Sequence, residues 1–173
     1  AARETEPVGA VPDLHVALVL PNVTPQVAAM IRLQRLTGMR SGEIVIMCPL
    51  DIDTSSDVWI FEPKTHKGSW RGQSRAIPLG PEAQRILEPY MDRPGNAYLF
   101  SPAEAEGWRL EHRPPYGGRE RKTPVYPCEL ERRERIKKQR RSKRGSAKRP
   151  KRDRYDTCSY RRAVVYGIKK AAK

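Results

Sequence analysis

Residues 36–43, with the sequence LTGMRSGE, combine residue types that could recognise a phosphate. Arg40 follows Gly38, which is expected to end a helix because glycine tolerates the left-handed backbone found at helix ends. A guanidinium held on a rigid corner suits bidentate binding of phosphate oxygens, and Glu43 lies three residues further along. The alternative is that Arg40 only stabilises the end of the preceding helix through the helix dipole.

Two helices are expected to hold this corner. The first spans residues 24–36, with Thr24 as its N-cap and Pro25 at its first position. Ser41 is expected to cap the second helix, which should begin at residues 42–43 and continue to Met47. Arg40 would then lie on backbone that is fixed from both sides.

The other elements predict an α+β fold that is mainly helical, with a small antiparallel β-hairpin sheet. Residues 58–61 are rich in strand-forming side chains, and residues 74–79 should pair with them, with Pro78 at an edge. The connection at 49–56 is rich in turn formers. Further helices are expected over residues 12–20, with Pro21 ending the helix, after Gly80-Pro81, and over residues 156–173, where Asp156 and Thr157 are the candidate cap.

The net charge of +14 and the pI near 10.1 indicate a polyanionic partner. Nearly all of the positive excess lies between Arg109 and Arg154. Such a segment repels itself and should be mobile, although residues 129–143 could become helical on DNA. The alternative is a solvated linker. The candidate phosphate contacts in this segment are Arg132, Arg133, Lys137, Lys138, Arg140, Arg141, Lys143 and Arg144.

Several kinds of site and location find no support in the sequence. No apolar run is long enough for a membrane span, and no phosphate-loop or dinucleotide motif suggests a nucleotide cofactor. Cys48, Cys128 and Cys158 lack the spacing of a zinc site, and the three histidines are scattered, so we expect no metal. The chain begins without a methionine or a signal peptide, and we expect it to be a piece of a longer cytoplasmic protein.

Four motifs occur in a characteristic order: LTGMRSGE at 36–43, DID at 51–53, PKTHKG at 63–68 and RAIPL at 75–79. Together they resemble the catalytic domain of tyrosine recombinases, the phage-integrase family. The resemblance covers residues 10–100 and, more weakly, residues 156–173. It implies a bacterial, DNA-associated enzyme that cuts DNA through a tyrosine hydroxyl, forming a 3′-phosphotyrosine without a metal or another cofactor.

The resemblance also implies roles for individual residues. Arg40 would contact the scissile phosphate and Glu43 would support the site. Lys64 is the best match for the hairpin lysine that protonates the leaving 5′ oxygen, and Lys67 is the alternative because the loop is unusually long. The alternative for both lysines is ordinary exposed charge. Arg71 and Arg75, in the same region, are candidate DNA contacts.

One departure from the family pattern limits what this chain should do. The His-x-x-Arg box and the nucleophilic tyrosine that follows it are not found in the sequence. Tyr155, Tyr160 and Tyr166 precede the place where that box should come, so none is assigned as the nucleophile. Tyr160 is expected in the core, and Tyr166 on the basic side of the last helix. We therefore expect the chain alone to be inactive.

These observations predict four segments: a linker at 1–10, the N-terminal half of a recombinase catalytic domain at 11–100, a basic and flexible insertion at 101–155, and an amphipathic helix at 156–173. The expected function is that of a DNA-binding fragment of a site-specific recombinase. Its expected partners are double-stranded DNA and other recombinase protomers. The alternatives are a non-catalytic basic nucleic-acid-binding module and, from charge alone, a ribosome-associated RNA binder.

Overall fold

The structure, a computed structural model, describes residues 9–113, 123–143 and 152–172. The fold is α+β and mainly helical, as expected, with one three-stranded antiparallel sheet in the described part. The helices are α1 (Asp13–Val19), α2 (Pro25–Thr37), α3 (Ser41–Ile44), α4 (Pro81–Met91), α5 (Pro102–Glu111), α6 (Pro127–Lys143) and α7 (Thr157–Ala171). The strands are β1 (Ile52–Asp53), β2 (Trp59–Phe61) and β3 (Ile77–Leu79). None of the described helices has both the length and the apolar composition of a membrane span.

Helix α2 is central to the core and packs against α4, α5 and α7. Its buried side chains include Val27, Met30 and Leu33, which recur at helical spacing. Pro25 occupies the first turn, where its missing N–H removes no helical hydrogen bond. Thr24 is the N-cap by backbone position, but its side chain makes no capping hydrogen bond, so that part of the expectation is wrong.

The sheet has the order β1-β2-β3. Phe61, at the end of β2, pairs with Ile52 on one side and Ile77 on the other, and its side chain is fully buried. Pro78 lies on the edge strand β3, as expected, because proline cannot donate to a further strand. Strand β1 lies in the connection at 49–56, where we expected many turn formers and no strand. With only two residues it has no alternation from which a sequence pattern could predict it.

Helix α7 packs against α1 and against the 3-10 turn Leu20–Asn22. This turn includes Pro21, the residue at which the first helix was expected to end. The expected cap is confirmed, because Asp156 accepts a hydrogen bond from the Ser159 N–H at 2.6 Å. A Cβ atom at Gly167 would lie 2.4 Å from Val23 Cγ1, so only glycine permits this close packing. Ile168 is 49% exposed, whereas Gly167 beside it packs against Val23.

The segment at 101–155, expected to be a flexible insertion, contains two helices in its described part. Helix α5 packs on α2 and buries Ala105, and Tyr155 near the far end of the segment is also buried. Helix α6 differs, because its described side chains are exposed at every position except the half-buried Glu129. The division of the chain into four segments stays a prediction.

Candidate nucleic-acid interface

The corner before Arg40 is closed by short-range hydrogen bonds. Gly38 adopts the left-handed backbone with φ 65°, and its N–H donates to the Gln34 carbonyl at 2.9 Å. The Thr37 hydroxyl donates to the Leu33 carbonyl at 2.7 Å and accepts from the Met39 N–H at 3.3 Å. These bonds satisfy groups that a helix end leaves free. The end of α2 therefore does not depend on the Arg40 side chain.

The second helix of the corner differs from the expectation. Arg40 itself is the N-cap, and α3 is a single turn, Ser41–Ile44, rather than a helix reaching Met47. The expected cap by Ser41 is wrong, because Ser41 is already the first helical residue, and Glu43 reaches back to accept the Arg40 backbone N–H at 2.7 Å. Glu43 therefore fixes the backbone of the residue whose side chain it also contacts.

Glu43 is a buried carboxylate shared by two arginines. Its side chain is 2% exposed, with Oε1 3.1 Å from Arg40 Nη1 and 2.8 Å from Arg75 Nε. The Arg75 Nε–H is buried and not aligned for a hydrogen bond, so this contact is an ion pair. A buried charge needs such partners to offset the loss of hydration. Arg40 belongs to the corner and Arg75 to the residues before β3, and the Glu43 carboxylate holds both side chains close together.

A cavity of about 450 Å³ opens beside these arginines. Four of its lining side chains are cationic and none is acidic, because Glu43 lies behind the surface. Arg40 is 54% exposed at its side chain and Arg75 is 32% exposed, so both keep donors available at the cavity. The lining residues are Arg40, His66, Lys67, Gly68, Trp70, Arg71, Gln73, Ser74 and Arg75.

The loop between β2 and β3 forms one wall of this cavity and is held by its own hydrogen bonds. The His66 backbone N–H donates to Ser69 Oγ at 2.8 Å, and the Gly68 N–H donates to His66 Nδ1 at 3.1 Å. Because Nδ1 accepts, the proton of a neutral ring is on Nε2, which lies 2.9 Å from the Gln73 carbonyl and donates to it. Gly72 then reverses the chain with φ 68°.

The two candidate lysines of the hairpin lie in different surroundings. Lys64 Nζ is 3.0 Å from Asp51 Oδ1, and this carboxylate raises the pKa of Lys64. Lys64 is not among the residues that line the cavity, whereas Lys67 is. A general acid works best with a pKa near the working pH. Lys67 lies at the cavity, whereas Lys64 is paired with Asp51 outside its lining.

The basic residues predicted in the insertion belong to another part of the molecule. Arg132, Arg133, Lys137 and Lys138 are exposed on α6, where Arg133 lies 2.9 Å from Glu129. The backbone of Arg140, Arg141 and Lys143 continues this helix, and Arg144 lies outside the described residues. None of the described α6 residues lines the cavity, so the structure shows two separate cationic regions.

The three tyrosines near the C-terminal end do not line the cavity either. Tyr155 and Tyr160 are buried, and burial raises the pKa of both hydroxyls. The Tyr160 hydroxyl donates to Gln34 Oε1 at 2.6 Å, so its expected core position is confirmed. Tyr166 is exposed beside Lys170, on the basic side of α7 as expected.

Sequence reasoning missed three contributors to this site. Gln34 receives the Tyr160 hydroxyl and donates to the Met39 carbonyl at 3.1 Å, directly before Arg40. No local pattern could reveal this link, because the two side chains are 126 residues apart. His66 was considered only as a metal ligand. Trp70 did carry a signal, since a tryptophan among glycines and basic residues in a loop is poorly explained by packing.

The comparisons with known proteins give no family for the chain. No protein-family model matches it, and searches of curated proteins and of solved structures found no match. The functional assignment therefore depends on the motifs and on the geometry of the two cationic regions.

Proposed function

We propose that this chain is the DNA-binding part of a site-specific tyrosine recombinase, an integrase that breaks and rejoins duplex DNA through a 3′-phosphotyrosine. One observation carries the proposal: Arg40 and Arg75 are fixed by the buried carboxylate of Glu43 at the mouth of a cavity without acidic lining residues. The same Arg40 and Glu43 lie in the motif that resembles the recombinase family.

The cavity suits a backbone phosphate for electrostatic reasons. Guanidinium groups match phosphate oxygens in charge and in the spacing of their donors. Arg40 keeps its exposed donors while one nitrogen is 3.1 Å from Glu43, so binding a phosphate requires little rearrangement. Without a metal ion, the charge that develops in phosphoryl transfer must be met by such fixed donors.

Within this proposal, each residue has a defined role. Arg40 binds the phosphate and Glu43 holds the guanidinium in place. Lys67 is the lysine that protonates the leaving 5′ oxygen, because it lines the cavity while Lys64 is paired with Asp51. Arg71 and Arg75 contact neighbouring phosphates. Helix α6 adds sequence-independent contacts that increase affinity.

The nucleophilic tyrosine and the second arginine box are supplied by another part of the parent protein, and partner protomers complete strand exchange. The chain alone therefore binds DNA without cleaving it. A non-catalytic nucleic-acid-binding module is the second candidate, and the exposed basic surface of α6 is the observation that favours it. In that case the cavity would bind phosphate, but its cations would have no role in catalysis.

A salt titration of duplex DNA binding tests the first part of the proposal. Replacing Lys67 and Arg71 by glutamine should lower the slope of log affinity against log salt by about 0.9 for each phosphate that is no longer neutralised. Arg32→Gln with Arg85→Gln is the matched control, because both are exposed helical arginines outside the cavity lining. Equal slopes in the two double variants, or no salt-dependent binding, would contradict a phosphate site at the cavity.

The proton donor can be tested in the complete parent enzyme. Lys67→Ala should slow cleavage of normal DNA and be rescued by a substrate with a 5′-bridging phosphorothiolate, because a thiolate leaves without a proton. Lys64→Ala is the control and should change cleavage little. Rescue confined to Lys64→Ala would assign the donor to Lys64 instead. Normal cleavage by both variants would show that neither lysine is the proton donor.

A further inference from the structure

Trp70 is an aromatic side chain without a packing role in the core. It is 76% exposed, on the 3-10 turn Ser69–Arg71 between β2 and β3. The other two tryptophans have packing partners: Trp59 lies against the core, and the Trp108 ring stacks on His112 with the ring centroids 4.4 Å apart. A large apolar ring left in water on a fixed turn suggests a binding surface.

The turn holds the backbone of Trp70 in one position. Its backbone is closed by hydrogen bonds from the Ser69 N–H to the His66 carbonyl at 3.1 Å and from the Arg71 N–H to the Gly68 carbonyl at 2.9 Å. The His66 ring ties the start of the turn to Gln73 at its end. Because these bonds already fix the loop, a ligand that contacts the ring loses little loop entropy on binding.

The surroundings of the ring define the chemistry of the ligand. Arg71 lies over Trp70, with its guanidinium carbon 4.5 Å from the ring centroid, and both residues line the cationic cavity. An aromatic ring combined with arginine is the surface on which nucleobases stack, and the cations beside it suit the phosphate of the same strand. Bases inside an intact duplex have no free face, so the matching base is an unpaired one.

We propose that Trp70 stacks on an unpaired nucleobase of the strand whose phosphate occupies the cavity between Arg40 and Arg75. This inference rests on the proposed function and adds a preference to it: the site favours DNA that is single-stranded, bulged or locally opened next to the bound phosphate. A protein partner on Trp70 would give no such preference.

The test compares two labelled strands of equal length, one with normal bases and one made abasic throughout. Both carry the same phosphates, so only the bases differ. The unaltered protein should bind the normal strand about 5- to 150-fold more tightly, the range expected for stacking of one base on one aromatic ring. Trp70→Ala should abolish this preference, and Trp70→Phe should keep part of it.

The control is Trp108→Ala, which removes an aromatic ring outside the cavity lining and should leave the preference unchanged. The salt slope should also be the same with and without Trp70→Ala, because the ring neutralises no phosphate. A second measurement is tryptophan emission, which the normal strand should quench and the abasic strand should not. Trp70→Phe should lack this quenching.

Equal binding of the two strands by the unaltered protein, or a preference that survives Trp70→Ala, would overturn the stacking role. Salt-dependent binding of duplex DNA would still stand in either case. Absence of salt-dependent binding to every probe would instead overturn the proposed function together with this inference, so the two failures are distinguishable.

Discussion

The cavity and helix α6 carry the same kind of charge in opposite settings. At the cavity, Arg40 and Arg75 are fixed by a buried carboxylate. On α6, Arg132, Lys137 and Lys138 are exposed on a helix that buries no side chain at its described positions. Positive charge alone attracts a polyanion, whereas fixed positive charge also determines where its phosphate lies. We expect the first region to act in positioning and catalysis, and the second mainly in affinity.

The largest expected difference concerns two of the glutamates that pair with arginine, Glu43 at the cavity and Glu129 on α6. Glu43→Gln should lower the free energy of unfolding by about 3 kcal/mol, because it removes the buried counter-charge that Arg40 and the partly buried Arg75 share. Glu129→Gln on α6 should change it by less than ~0.5 kcal/mol, since its contact with Arg133 is near the surface. Urea unfolding of both variants measures the difference, and similar values would remove the distinction between the regions.

A second prediction separates positioning from attraction. In the recombinase proposed above, Arg40→Lys should reduce the cleavage rate on the order of 10²-fold while leaving most of the DNA affinity, because a point charge cannot reproduce the donor geometry of the guanidinium. Single-turnover cleavage and binding, measured on the same DNA, give the two values. Near-normal cleavage by this variant would show that fixed geometry at the corner is not needed.

The smallest effect is expected on α6. Replacing Lys137 and Lys138 by glutamine should lower the salt slope of duplex binding by about 1.8, or about 0.9 for each phosphate that these lysines neutralise, and weaken binding on the order of tenfold at physiological salt. The cleavage rate of bound DNA should not change. A lower rate at saturating DNA would mean that α6 positions the substrate and would make the two regions alike.

Local patterns predicted much of the fold, because the residues involved act on their immediate neighbours. Gly38 ends α2 and Asp156 caps α7 through hydrogen bonds to residues at most four positions away, and Pro25 begins α2 because a first-turn residue needs no N–H partner. The prediction for Ser41 was wrong because the helix begins one residue earlier than expected, so that Arg40 is the N-cap residue and Ser41 is the first helical residue. Glu43, at the third helical position, accepts the Arg40 N–H, and residue type alone does not fix where such a helix begins.

The candidate site was predicted in its residue types but only partly in its arrangement. Arg40, Glu43 and Arg75 were named from the motifs, yet their shared ion pair depends on how the corner packs on the sheet. The choice between Lys64 and Lys67 depended on Asp51, whose side chain is largely buried beside Lys64. Such contacts arise from tertiary structure, and local spacing contains no information on them.

The hydrogen bond from Tyr160 to Gln34 has a consequence for the order in which the site matures. Residues 33–43 can form their turn as soon as they leave the ribosome, since its bonds are local. Gln34 gains its anchor only after 126 further residues, when α7 docks. Contacts of such long sequence separation form late because a long loop must close first. We therefore expect the turn of the corner to form early in synthesis and the Tyr160 contact that anchors Gln34 to form last.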